Sequence, residues 1–144
     1  MKIEEYEFPD DLYYTDRHFW VRDDGDILTL GTTDYAQKVA GEFIYVEVPE
    51  EDTKITKGKP FASLESGKWV GRIYAPLNGV VTEGNEEVDD DAILLNSSPY
   101  GDGWICKIKP DNKDDINDLF RTSDEKFITW MKEEITKNKE KQEE

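Results

Sequence analysis

The chain has one cysteine, Cys106, and one histidine, His18, in 144 residues. A single cysteine excludes an internal disulfide and any dithiol chemistry by the protein's own thiols. A redox role therefore has to come from something attached. Neither residue has a second His or Cys near it in sequence, so no clustered ligand set for a metal is present. Asp89-Asp90-Asp91 lacks the glycine and the distal glutamate of an EF-hand and reads as a solvated loop. Basic residues are also scarce: 18 Lys and Arg stand against 34 Asp and Glu, a net charge of −16. Nucleic-acid binding needs a basic face to neutralise phosphates, and so does docking on an anionic bilayer, so neither partner is expected. Such acidity suits solubility and steering toward basic patches on partner proteins. No apolar run is long enough to span a membrane. Met1-Lys2-Ile3-Glu4-Glu5 lacks the apolar segment of a signal peptide, which gives a cytoplasmic expectation. There is no Gly-x-Ser-x-Gly elbow, no phosphate loop and no Gly-x-Gly-x-x-Gly before a helix. Nothing here reads as a self-contained active site, and the expectation is a protein that does not catalyse alone.

What is present is a string of short strand signals followed by helix. The length fits one domain with a real core, and aromatics reach 12%, above what a disordered chain carries. Residues 1–13 are acidic and aromatic without a clear period. Trp20-Val21-Arg22 and Ile27-Leu28-Thr29-Leu30 flank a turn at Asp23-Asp24-Gly25-Asp26 and read as a hairpin. His18, two residues before Trp20, reads as a structural hydrogen-bonding residue rather than a proton-transfer group. Asp34 to Ala40 reads as a short helix with an aspartate cap and a stop at Gly41. Phe43 to Val48 is a strand ended by Pro49, and Glu50 to Gly58 a polar loop. Pro76-Leu77-Asn78-Gly79 and Ser98-Pro99-Tyr100-Gly101-Asp102-Gly103 are turns. Alternation puts Trp104, Cys106 and Ile108 on one strand face, with Cys106 as a small core residue. Beyond Pro110, Ile116, Leu119 and Phe120 have helical spacing. Thr122 and Glu125 have capping-box spacing. Phe127, Trp130, Met131 and Ile135 form one amphipathic stripe that should pack on the body of the protein. The expected organisation is a single domain over residues 1–136 and a charged, frayed tail over 137–144. The fold class is mainly β or α+β, a sandwich or flattened barrel with C-terminal helices.

Lys68 is the residue of greatest interest. It lies in Glu65-Ser66-Gly67-Lys68-Trp69 between two apolar runs, Pro60 to Leu64 and Val70 to Tyr74. The flanking runs read as strands, and Gly67 as a source of backbone freedom in the turn, so Lys68 belongs at a hairpin tip. An amine held clear of the body can be modified and can be reached by partners. A plain solvated turn lysine gives the same local pattern. Glu65 and Ser66 either cap the turn or orient it for an attaching enzyme.

The order and spacing of motifs along Tyr14 to Pro110 resemble the glycine cleavage system H protein family of lipoyl carriers. Tyr14-Thr15, His18 and Trp20-Val21 are similar to the family's Tyr-Thr-x-x-His-x-Trp-Val. Gly31-Thr32-Thr33-Asp34-Tyr35-Ala36-Gln37 is similar to Gly-Ile-Thr-Asp-Tyr-Ala-Gln. Gly41, Val46-Glu47 and Pro49 follow the next strand. Glu65-Ser66-Gly67-Lys68 resembles Glu-Ser-Val-Lys, the lipoylation segment. Tyr74-Ala75-Pro76, Gly79, Asn85, Asn96, Ser98-Pro99-Tyr100-Gly101, Gly103-Trp104 and Lys107-Ile108 match the closing part. The resemblance implies the hammerhead lipoyl (biotinyl/lipoyl-like) fold and lipoate joined as an amide to Lys68 by a lipoate ligase or a lipoyl or octanoyl transferase. It further implies an aminomethyl group shuttled between a decarboxylase, an aminomethyltransferase and dihydrolipoyl dehydrogenase.

Several positions depart from that pattern. Gly67 replaces valine, Trp69 and Val70 replace two alanines, and Gly71 and Arg72 stand where serine and aspartate are usual. Ala92 stands where proline is common. Arg17 and Phe19 flank His18 where glutamates are typical. These changes put a large aromatic and a positive charge beside the attachment site. Trp69 either contacts the arm or a partner or packs on the sheet. They also open an alternative: an H-like lipoate-binding protein that carries sulfur for a heterodisulfide-reductase-like sulfur oxidation system. An unmodified regulatory homologue is a third reading. A biotin carrier would place methionines, not Gly67 and Trp69, beside the lysine.

Overall fold

A computed structural model describes residues 1–143. The strands are β1 Lys2–Ile3, β2 Tyr6–Glu7, β3 Tyr13–Tyr14, β4 Phe19–Asp23, β5 Leu28–Thr32, β6 Phe43–Val46, β7 Lys54–Ile55, β8 Pro60–Ser66, β9 Val70–Tyr74, β10 Gly79–Gly84 and β11 Cys106–Pro110. The α-helices are α1 Asp34–Ala40, α2 Glu86–Asp90, α3 Leu94–Ser97 and α4 Glu125–Glu143, with a 3₁₀ helix at Lys113–Asp118. The strands form a six-stranded sheet in the order β3-β4-β5-β11-β10-β7, a three-stranded sheet β6-β8-β9 and a separate β1-β2 pair. Every pairing is antiparallel. This is the flattened sandwich with C-terminal helix that the sequence pattern implies.

The two larger sheets close on one core. Val21, Leu28, Leu30 and Ile108 from the six-stranded sheet meet Ala62, Leu64 and Ile73 from the three-stranded sheet. Strand alternation explains the division of labour in β4: Phe19 and Val21 point into that core, and Trp20 points out the other side. The outward side is not solvent. It is covered by a second core, in which Phe8, Tyr14, Trp20 and Tyr35 pack against Phe127, Met131 and Ile135 of α4. The amphipathic stripe of α4 is thus buried on the sheet body, with Tyr14 and Phe127 stacked at 5.0 Å. Cys106 is buried in the first core, and burial pushes its thiol up.

Local chemistry differs from the sequence reading in five places. The cap of α1 is Thr33, whose Oγ1 accepts from the Ala36 N–H at 3.1 Å; Asp34 is the first helical residue. Residues 86–90 are a helix capped by Asn85 rather than a loop, because the Asn85 side chain accepts from the Glu87 N–H. Strand β7 lies within the expected polar loop and pairs with β10. Thr122 is no helix cap: α4 starts at Glu125, and the Thr122 hydroxyl donates to Asp10 Oδ1 at 2.7 Å. Helix α4 runs on through Glu143, where the run of charge suggested fraying from 137; Glu144 lies outside the described residues. Good helix formers propagate a helix already anchored by packing, and Lys139 ties this stretch to Glu4 at 3.1 Å.

Trp20, of the second core, packs closely on Gly31 of β5. The residues are cross-strand partners, the Trp20 ring is fully buried, and a Cβ on Gly31 would overlap it. Trp20 Nε1 also donates to the Pro99 carbonyl at 2.9 Å. Gly31→Ala is expected to destabilise by about 1–3 kcal/mol, the usual cost of overpacking. Chemical denaturation checks it; a change under about 0.5 kcal/mol, the size of an innocuous surface substitution, contradicts this packing.

Candidate functional site

Lys68 sits at the turn between β8 and β9, as the strand pattern implies. The turn is closed by the Ser66 N–H, which donates to the Trp69 carbonyl at 2.8 Å. Ser66 is buried, and its Oγ accepts from the Lys68 N–H at 3.4 Å. The capping role left open for Glu65 and Ser66 therefore belongs to Ser66. Glu65 pairs across the sheet with Tyr45 and Val70, is half-buried, and takes part in none of the turn's hydrogen bonds. The role expected of Gly67 is corrected. Its φ is not positive and a Cβ there would meet nothing within 4 Å, so the turn does not require glycine.

The glycine that matters lies elsewhere in the sequence. Gly41 ends α1 at φ 82° and ψ −164°, a conformation open essentially to glycine alone. The Lys68 stem rests on it: a Cβ on Gly41 would stand 3.2 Å from Lys68 Cε. Gly41 is fixed in turn by Asn96, whose Nδ2 donates to the Gly41 carbonyl at 2.8 Å. Asn96 Oδ1 accepts from the Phe43 N–H at 2.9 Å, and Phe43 is the register partner of Ser66. One amide thus sets both the seat under the lysine and the strand beside its turn. Sequence reasoning took Gly41 as a helix stop and gave Asn96 no role. The separation of 55 positions between Gly41 and Asn96 hides their contact.

Beside Lys68 opens a groove of about 800 Å³. Its walls come from the start of β4, from α1, from β9 and from the far end of α4. Trp69 lines it and packs against Gly71, where a Cβ would run into the indole. The ring thus packs on the sheet and faces the groove at once. Of the large apolar residues that remain exposed, Ile44, Tyr45, Trp69 and Val70 all surround this tip, with Val70 72% and Ile44 62% exposed. Among the described residues, no carboxylate lies within ion-pair distance of the Lys68 amine. An exposed amine with no partner, on a fixed turn beside a concave wall, fits a covalently attached arm.

His18 serves structure here. Its ring stacks on Trp130 at 4.9 Å, and neutral Nε2–H donates to Glu134 Oε1 at 3.0 Å, pinning α4 to the start of β4. Burial holds the imidazole below its ordinary value, outweighing the opposing pull of Glu134. Nδ1 is buried with no partner, which fits a ring kept neutral.

Comparison with known proteins agrees with this geometry. Residues 12–134 match the family model described as glycine cleavage H-protein. The chain is 39% identical over 137 residues to the probable glycine cleavage system H protein 2 of Sulfolobus acidocaldarius, covering 92% of this chain and 91% of that one. It is 41% identical over 125 residues to the glycine cleavage system H protein of Halothermothrix orenii, covering 87% and 96%. The crystal structure of a glycine cleavage system H protein from Mycobacterium marinum superposes with a TM-score of 0.72 at 27% identity, covering 81% of this chain and 94% of that one.

Two expected outcomes follow from the site. Gly41→Ala should cost about 1–3 kcal/mol through its backbone strain, whereas Gly67→Ala should stay within about 0.5 kcal/mol. Denaturant midpoints check the pair, and equal costs contradict the assignment. The His18 value is depressed in the fold, so its contribution is intact above about pH 6.5, where both states are neutral. It is lost as pH falls below that, because the unfolded ring takes up a proton first. The melting temperature should therefore drop more steeply between pH 7.5 and 5 in the parent than in His18→Gln; parallel curves contradict it.

Proposed function

The chain belongs to the glycine cleavage H-protein family, and on that premise we propose that it is a non-catalytic carrier bearing lipoate as an amide on Lys68 Nζ. What supports this is the amine itself: exposed, unpaired among the described residues, and held on a turn closed by backbone and by Ser66. Lipoate, when attached, supplies a dithiolane that can hold a transferred group on sulfur and close again on oxidation. The chain's own residues supply position. Gly41 gives the lysine stem a seat, and Trp69 walls the start of the groove. The Glu65 carboxylate, free of the turn's hydrogen bonds, is available to be read by the attaching ligase or transferase. Ile44, Tyr45 and Val70 form an apolar rim where partner enzymes can dock around the tip. Tethering then raises the concentration of the reactive sulfur at each partner's site.

The family relation points to the partners of glycine cleavage: the decarboxylase, the aminomethyltransferase and dihydrolipoyl dehydrogenase, with aminomethyl as cargo. A second reading, sulfur transfer in a heterodisulfide-reductase-like system, is favoured by one observation, the placing of Arg17 and Arg72 in the groove beside Lys68.

Co-expression with an active lipoate ligase tests the carrier. Intact mass should rise by one lipoyl group, and Lys68→Ala should abolish the rise. An unchanged parent mass, with the ligase shown active on another acceptor, contradicts the proposal.

A further inference from the structure

The groove beside Lys68 is cationic in a chain whose net charge is −16. Its charged lining is Arg17, Lys68, Arg72 and Lys141 against Asp16 and Glu134. Glu134 accepts a hydrogen bond from neutral His18 and keeps its negative charge, so the lining sets four cations against two carboxylates. Amide formation at Lys68 removes that residue's charge and leaves the two arginines and Lys141 against Asp16 and Glu134, still net positive. Arg17 is held against the wall, its guanidinium 4.3 Å from the centre of the Tyr74 ring. Among the described residues, neither Arg17 nor Arg72 has a carboxylate within ion-pair distance. This is notable where acidic residues outnumber basic ones nearly two to one, 34 against 18. The hydroxyl of Thr32, in the same lining, is buried without a hydrogen-bond partner. Guanidinium forks match oxyanions in shape and charge, and a concave, partly apolar wall strengthens the match by limiting screening.

We propose that this groove receives a cargo on the arm that ends in an oxyanion, held by Arg17 and Arg72, and that it disfavours a cargo ending in a protonated amine. The inference rests on the lipoyl-carrier reading and selects between its two cargoes. A carboxylate-, sulfonate- or thiosulfonate-like terminus fits the lining; aminomethyl does not.

The test uses the full lipoylated chain, its modification confirmed by intact mass. The arm is reduced and its thiols are alkylated in parallel with iodoacetate, iodoacetamide or 2-bromoethylamine. Each thiolate displaces halide to form a thioether, giving anionic, neutral and cationic termini of similar size. Cys106 is fully buried, so the caps go to the arm. Added negative charge should by itself lower the stability of so acidic a protein. The groove predicts the reverse: the carboxymethyl form melts about 2–4 °C above the neutral form, and the aminoethyl form at or below it. Arg72→Gln should shrink that gap, and Arg17→Glu with Arg72→Glu should invert the order. Equal melting temperatures for the three capped forms of the parent, or the highest one for aminoethyl, overturn the inference while leaving the carrier intact. No lipoyl mass under active ligase removes the carrier reading and this inference with it.

Discussion

The side-chain amide of Asn96 is the constraint on which the site depends. It donates to the Gly41 carbonyl and to Gln37, and it accepts from the Phe43 N–H. Gly41 closes α1, and Phe43 opens β6. Bringing these two backbone groups to one amide fixes where the helix stops and where the strand begins. Because Phe43 pairs with Ser66, that fixed point is carried directly to the base of the Lys68 turn. Gly41 meanwhile underlies the lysine stem. Asn96 is half-buried, and a polar node with its hydrogen bonds satisfied still favours one arrangement, each such bond contributing about 1 kcal/mol.

Helix α4 does a different job. Phe127, Met131 and Ile135 seal the second core, and the pairing of Glu134 with His18 sets how the helix lies across β4. Its far end then supplies Glu134, Asn138 and Lys141 as one wall of the groove. The strands place the amine, and the helix shapes the space beside it. His18 joins the two, at φ 69°, a backbone setting that a non-glycine residue keeps only when its surroundings over-determine it.

Much of this was legible in the sequence. Strand pairs flanking compact turn signals gave the β4–β5 and β8–β9 hairpins, and the spacing of Phe127, Met131 and Ile135 gave the buried face of α4. Lys68 followed from its place between two apolar runs. What the sequence hid are contacts between distant segments and geometry that residue type does not encode. Gly67 looked like the flexible element of the turn, yet the turn needs no positive φ there. Trp69 lies against Gly71 two residues away; the spacing puts both on one face of the extended chain, but residue type alone does not show that the ring turns onto the glycine. Arg17 and Arg72 are 55 positions apart and become neighbours of one groove only once β4 and β9 are in place. Charged loops were also misjudged: Asn85 turns an acidic run into a helix by a single cap.

The central claim is that the Lys68 tip is held rigid from Asn96 through Phe43 and Gly41. Native-state amide hydrogen exchange, compared between the parent and Asn96→Ala, tests it most directly. The account predicts that protection at the Ser66 amide falls further than at Leu28 and Leu30 in the central sheet. If protection at Ser66 falls only in step with those core amides, or does not fall, the tip is not anchored through this node and the account fails.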